Sequence, residues 1–192
     1  MIGLIDAITN EDEKVFVVGH DWGALIAWSL CMFRPDRVKA LVNLSVVFVP
    51  WNPNGDLEEM LRREYGDDHY MTRFQKPGEI EAEFAKLSYQ TLMKTLLTTR
   101  DPGPLYFPKG FADSLPDAPV TLPPWLSEED VEYFASQYEM AGITGGINYY
   151  RALHLSWELT SAWRGAKVML LSLEDVIFDW SKLMIFSFIG ST

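Results

Sequence analysis

The segment Val17-Val18-Gly19-His20-Asp21-Trp22-Gly23-Ala24 places a carboxylate between two glycines, where an apolar run gives way to helix-forming residues. Small residue, any residue, nucleophile, any residue, small residue is the spacing of a nucleophile elbow, which holds a reactive side chain out on a sharp, strained turn. Gly19 and Gly23 are expected to remove side chains that would collide there. The helix that follows directs its N-terminus at the turn and favours negative charge beside it. With Asp21 at the centre instead of Ser or Cys, the chemistry changes. A carboxylate attacks saturated carbon and is left as an alkyl ester on the enzyme. Water must then attack that ester at its carbonyl, which calls for an oxyanion hole and a histidine base. Epoxides and alkyl halides are substrates of this kind; esters and amides are not the natural reading. The bland alternative, a glycine turn whose Asp caps the next helix, is disfavoured because strand, motif, helix and strand follow in order.

The elements that must position Asp21 are legible around it. Residues 2–8 read as the last turns of a helix, and residues 14–18 as a short β-branched strand of the kind buried in a parallel sheet. A helix is predicted over 23–33, closed by Pro35, and a second buried strand over 39–48. Strand, turn, helix, strand is a βαβ unit. The character changes at Pro50, where Trp51-Asn52-Pro53-Asn54-Gly55 forms a turn-rich linker into helical, charged sequence. One helix is predicted over 79–97, with Ile80, Phe84, Leu87, Thr91 and Lys94 on one face. Residues 101–124 read as an extended loop, Ser127 as a helix cap with Asp130 three residues on, and 145–158 as a last helix. A strand returns over 167–173. The order is a core segment over 1–50 with the elbow, a helical insert over 51–163, and a return to the core over 164–192.

Bulk properties narrow the partners. A net charge of -11 repels polyanions, which excludes nucleic acid and anionic membranes and leaves small molecules. Seven Trp, eight Tyr and eleven Phe suit an enclosed apolar pocket, although a bulky core would use them too. The lone Cys31 excludes an internal disulfide framework, no zinc spacing is present, and a reducing, cytoplasmic setting is expected. The opening residues lack the pattern of a signal peptide, and the apolar stretch 183–189 is too short to span a bilayer.

Gly19-His20-Asp21-Trp22-Gly23-Ala24, Arg34-Pro35-Asp36-Arg37-Val38 and Arg73-Phe74-Gln75-Lys76-Pro77-Gly78-Glu79 together resemble plant-type soluble epoxide hydrolases of the α/β-hydrolase superfamily, from the first residues to about residue 167. The resemblance implies an α/β-hydrolase fold, a mostly parallel sheet with flanking helices and an inserted helical lid. It implies a small lipophilic epoxide as substrate, with fatty-acid epoxides suggested, water as co-substrate and no metal or other cofactor. It also implies two lid tyrosines that hold and protonate the epoxide oxygen, matched by Tyr70 and Tyr150. The chemistry agrees, because an alkoxide leaving group is strongly basic and needs a general acid. Tyr149 is the alternative to Tyr150, since helical neighbours point about 100° apart, and either tyrosine could be an aromatic core residue. By the same resemblance Trp22 lends its backbone N–H to the oxyanion hole and its ring to the pocket wall, unless it only packs. His20 is a supporting residue and not the base.

The same resemblance calls for a His-Gly-x-Pro loop ahead of the elbow, an acid after the strand near residue 170 and a histidine near the C-terminus. Only His20, His69 and His154 are present, and the last two read as structural or surface residues. Asp175 follows the expected strand, but Leu173-Glu174-Asp175-Val176 lacks a glycine-led turn, so Asp175 is read as not catalytic. The stretch 183–189 reads as a divergent terminus and, if exposed, an aggregation hazard. The expectation is therefore an incomplete core, truncated at both ends, that opens an epoxide and stalls at the ester. A haloalkane dehalogenase shares an Asp-Trp elbow but wants Trp or Asn groups to hold halide in place of paired tyrosines. A third reading is a non-catalytic product that binds ligand through the lid.

Overall fold

In the computed structural model, residues 1–10, 13–99, 103–116 and 120–166 are described. The strand expected over 167–173, Asp175 and the apolar stretch 183–189 lie outside the described residues. The chain divides into two units, one built on Met1–Trp51 and the other on Asn52–Thr160.

In the first unit the β-branched run forms β1 (Val15–His20), which pairs in parallel with β2 (Val38–Leu44). The register sets Val17 against Leu41, Gly19 against Asn43 and His20 against Leu44. The crossover between them is α2 (Trp22–Phe33), preceded in the chain by α1 (Ile2–Ile8). Ala27, Trp28, Leu30 and Cys31 of α2 pack with Val38, Leu41 and Ile5, and Val15 and Val17 lie against this cluster. Because side chains alternate along a strand, Phe16 and Val18 face the other way and are 71% and 70% exposed. Pro35 opens a 3-10 turn, Pro35–Arg37, that returns the chain to the sheet. The buried Arg37 guanidinium pairs with Asp6 and donates to the Glu13 carbonyl at 3.3 Å, tying α1 to the strand entrance.

The second strand stops sooner than its apolar run suggests. Ser45 adopts a φ of 68°, which turns the chain out of the sheet after Leu44. The Val46 carbonyl then accepts from Trp28 Nε1 at 3.0 Å, and the Phe48 ring meets Trp28 edge to face at 5.5 Å. Past Leu44, Val46 and Phe48 thus serve contacts to α2 and not strand pairing, while Val47 and Val49 are exposed.

The second unit is helical: α3 (Leu57–Tyr65), α4 (Tyr70–Arg73), α5 (Glu79–Phe84), α6 (Tyr89–Thr98), α7 (Phe111–Ser114), α8 (Glu128–Ala141), α9 (Thr144–Arg151) and α10 (Leu153–Leu159). The single helix expected over 79–97 is two, α5 and α6. Ser88 accepts from the Thr91 N–H at 3.0 Å and starts a new helix, so its side chain sets the break. The inward face shifts accordingly: Leu92, Met93 and Leu97 are buried, while Thr91 is exposed. The helix expected over 145–158 is also two, interrupted at Ala152, and the loop expected over 101–124 contains α7 and an antiparallel bridge from Tyr106 to His69. Ser127 and Asp130 form the expected reciprocal cap of α8, with Ser127 N–H donating to Asp130 at 2.9 Å and Asp130 N–H to Ser127 at 3.1 Å. No helix among the described residues is long and apolar enough to cross a membrane.

Candidate active site

The elbow is built by strand pairing on one side and helix initiation on the other. Asp21, between β1 and α2, has φ 52° and ψ -123°, a conformation that costs a residue bearing a Cβ about 1–3 kcal/mol. Four bonds hold it there, one of them from the Leu25 N–H to the Asp21 carbonyl at 3.3 Å. Its N–H is shared between the Ser45 hydroxyl at 3.2 Å and the Leu44 carbonyl at 3.4 Å, and its carbonyl accepts from Ala24 N–H at 2.9 Å to begin α2. Asn43 then fastens the helix start to the sheet by donating to the Ala24 carbonyl at 3.1 Å.

The glycines flanking Asp21 do different jobs. A Cβ on Gly19 would stand 2.7 Å from the Ala24 Cα, 2.7 Å from the Gly23 carbonyl and 2.6 Å from Asn43 Oδ1, so this position excludes every other residue. Gly23 was expected to matter for the same reason and does not. A Cβ there meets nothing within 4 Å.

Burial pushes the Asp21 carboxyl above the usual aspartate range, while the Trp22 backbone N–H and the neighbouring His20 pull it back, and burial wins. A carboxylate short of water is more basic and more nucleophilic than one in bulk solvent. Asp21 makes no side-chain capping bond to α2. His20 and Trp22 flank it and are both half-buried, and His20 Nε2 is buried with no hydrogen-bond partner among the described residues.

The second unit brings two tyrosines together. Tyr70 opens α4, and its N–H donates to the Leu105 carbonyl at 3.0 Å while Phe107 N–H donates to Asp68 at 2.8 Å. Tyr150 lies near the end of α9 and is 8% exposed; its neighbour Tyr149 is 38% exposed. The rings of Tyr70 and Tyr150 meet edge to face with centroids 5.6 Å apart. Phe74, fully buried, sets its ring against both, 5.7 Å from Tyr70 and 5.0 Å from Tyr150. Tyr138 on α8, stacked on Tyr89 at 6.3 Å, has its phenol pKa pushed well up by burial and by the nearby Tyr150.

The remaining histidines sit elsewhere. His69 is buried between Tyr65 at 5.3 Å, Tyr70 at 4.8 Å and Tyr106 at 6.2 Å, and burial lowers its pKa, favouring the neutral ring. His154 Nδ1 lies 2.8 Å from the buried Asp56, whose other oxygen caps α3, and this contact raises its pKa. Among the described residues no group of three or more His, Cys, Asp or Glu could hold a metal ion. Ser45 and Asn43 escaped the sequence reading, since a strand-end Ser or Asn carries no local sign that it will grip a turn twenty residues earlier.

A model of the alpha/beta hydrolase fold matches residues 9–182. Epoxide hydrolase 3 of Siraitia grosvenorii is 50% identical over 168 residues, 88% of this chain and 52% of the relative. Epoxide hydrolase A of Mycobacterium tuberculosis is 32% identical over 182 residues, 90% of this chain and 55% of the relative. Among solved structures, potato (Solanum tuberosum) epoxide hydrolase I is 57% identical with a TM-score of 0.79, covering 89% of this chain and 54% of that one. An epoxide hydrolase from Vigna radiata is 47% identical with a TM-score of 0.75, covering 89% and 51%. The chain spans about half the length of these relatives.

Proposed function

The chain belongs to the α/β-hydrolase fold family, and from that membership we propose that it is an epoxide-opening hydrolase with Asp21 as nucleophile and Tyr70 and Tyr150 as proton donors. The observation that carries the reading is the strained elbow at Asp21. A helix-capping aspartate needs neither a φ of 52° nor burial of its carboxyl, and Asp21 has both without making the capping bond. The paired phenols and the names of the relatives support the choice of an epoxide over an alkyl halide.

In the proposed reaction one carboxylate oxygen of Asp21 attacks a ring carbon, and the carbon–oxygen bond of the epoxide breaks. The released oxygen takes a proton from a tyrosine hydroxyl, with the second phenol holding it by a hydrogen bond. The product of this step is a hydroxyalkyl ester of Asp21. Water would then add to the ester carbonyl and release the diol, with the Trp22 N–H stabilising the oxyanion that forms on the Asp21 carboxyl. This step needs a base to take the water's proton, and because none of His20, His69 and His154 is read as that base, the ester is the species expected to accumulate. Asn52–Thr160 would act as the lid and supply its phenols. The substrate would be a lipophilic epoxide, of which fatty-acid epoxides are the class to try first, with water as co-substrate and a cytoplasmic setting.

The test is intact-protein mass together with diol analysis after incubation with a lipophilic epoxide, with an Asp21→Asn control. The expected result is an added mass of one epoxide on the peptide containing Asp21, or diol, in the parent and neither in the control. Neither product from a folded parent, or halide release from an alkyl halide in its place, would overturn the reading.

A further inference from the structure

The segment Arg73-Phe74-Gln75-Lys76-Pro77-Gly78-Glu79 has no part in the chemistry above, yet three of its residues bond directly to the turn that bears Tyr150. Gln75 Nε2 donates both to the Met71 carbonyl at 2.7 Å and to the Tyr150 carbonyl at 3.2 Å. Arg151 Nε donates to the Phe74 carbonyl at 2.8 Å, and its Nη2 to the Lys76 carbonyl at 3.4 Å. The same guanidinium pairs with Glu81 at 2.8 Å and donates to Asn148 at 3.0 Å. Glu81 is itself anchored, accepting the Gly78 N–H at 3.0 Å where α5 begins.

We propose that Gln75 and Arg151 are positioning residues that set the Tyr70–Tyr150 pair, an inference that rests on the reading of those tyrosines as proton donors. The helical ladder of α9 ends at Arg151, so the Tyr150 carbonyl falls in the last turn, where carbonyls are open to side-chain donors. Gln75 supplies one. A primary amide has two N–H donors on one planar nitrogen, and Gln75 spends one on each tyrosine-bearing element: Met71 directly follows Tyr70, and the other acceptor is Tyr150 itself. One rigid group therefore fixes the separation of the two backbones from which the phenols project. Arg151 repeats the fixation one residue on, with a planar fork that Lys does not reproduce. The fork and its carboxylate partner are shielded, with side chains 12% and 19% exposed, so the pair is screened less than one on the surface.

Two phenols that must both reach one oxygen are sensitive to backbone spacing, since a displacement of about 1 Å in a reacting group costs on the order of a hundredfold in rate. Phe74 adds a ring against both tyrosines, but rings in contact slide more easily than hydrogen bonds stretch. The amide and the guanidinium supply the directional part of the constraint.

Two variants test this in the full chain: Gln75→Met, nearly isosteric but without donors, and Arg151→Lys, which keeps the charge and loses the fork. The rate of ester formation on Asp21 is followed by rapid quench and intact mass over a range of epoxide concentrations. Each variant, shown to be folded by circular dichroism, is expected to slow the saturated rate about tenfold to a hundredfold. The half-saturating concentration should stay within about twofold, because binding of the epoxide is not what the clamp controls. On a Tyr150→Phe background Gln75→Met should add less than about twofold, since its effect runs through that phenol. As a readout independent of turnover, the chain labelled with 3-fluorotyrosine should show the Tyr70 and Tyr150 fluorine resonances moving in both variants and that of Tyr149 staying. A parental rate in either folded variant, an undiminished effect on the Tyr150→Phe background, or unmoved resonances would overturn the clamp. If Tyr70→Phe and Tyr150→Phe themselves leave ester formation unchanged, the proton-donor reading fails instead, and the clamp loses its catalytic role with it.

Discussion

The backbone N–H of Asp21 donates to the Ser45 hydroxyl at 3.2 Å, and these two are the non-glycine residues of positive φ among the described residues, at 52° and 68°. One strained backbone position supports the other. The register of the parallel pair sets His20 beside Leu44, so the residues that follow them leave the sheet side by side. Strain of this kind persists only where surrounding bonds over-determine the conformation, and here sheet, helix start and the Ser45 hydroxyl all do so.

Asp21→Gly should therefore raise stability by about 1 kcal/mol, because glycine occupies this region without a Cβ penalty, while abolishing ester formation. Ser45→Ala keeps the strain and loses the bond, and should lower stability by about 1 kcal/mol. Urea unfolding of the two variants checks both signs. A destabilised Asp21→Gly would mean that the elbow stores no strain.

Gly19→Ala and Gly23→Ala should part company. The first forces a methyl against backbone at 2.7 Å and should cost about 2–3 kcal/mol or prevent folding. The second places a methyl in open space at the start of a helix and should be neutral or slightly stabilising. Thermal midpoints of the pair settle it; equal losses would show that the elbow needs two glycines.

The rate of ester formation should rise with pH through an inflection above the ordinary aspartate value of 3.8, because the attacking form in the proposed reaction is the carboxylate and burial disfavours it. The stability contribution has the opposite sign. A raised pKa means that the folded chain holds the proton more tightly, so the contribution is favourable at low pH and is lost as pH rises through the folded pKa. Asp21→Asn should consequently gain stability on the parent at neutral pH but not at acid pH. Paired unfolding curves at the two ends measure the difference, and an inflection at or below 3.8 would contradict it.

His154 carries a pH dependence of its own. Its ring is bonded to Asp56, faces Glu158 at 3.4 Å and feels Glu59, so its pKa is raised above the ordinary histidine value of 6.5. The contact is fully present below 6.5 and is lost as pH rises through the higher folded pKa. The thermal midpoint should fall across that interval in the parent and fall less in His154→Gln. Parallel midpoint curves would show that the His154–Asp56 bond contributes nothing.

Local pattern was enough for the framework around Asp21. A β-branched run, a glycine-bounded nucleophile spacing and a helix stopped by Pro35 each act over a few residues, and β1, α2 and β2 form in that order. The Ser127–Asp130 cap was legible for the same reason, since both partners lie within one turn. Helix continuity was not. Apolar residues at helical spacing run across both breaks, over 79–97 and over 145–158, and spacing alone does not reveal a break. At the first, Ser88 starts a new helix with its hydroxyl; at the second, the Tyr150 carbonyl accepts from Gln75.

By itself the sequence determined the elbow on which the proposed chemistry rests, because the identity of Asp21 and its spacing from Gly19 are covalent facts about nearby residues. Tertiary structure decided what holds that chemistry in place. Ser45 grips the elbow from 24 positions away, and Gln75 bonds Tyr150 across 75. Partners at that separation are chosen by how strands register and where helices end, and those outcomes depend on the packing of the whole unit, not on any local pattern.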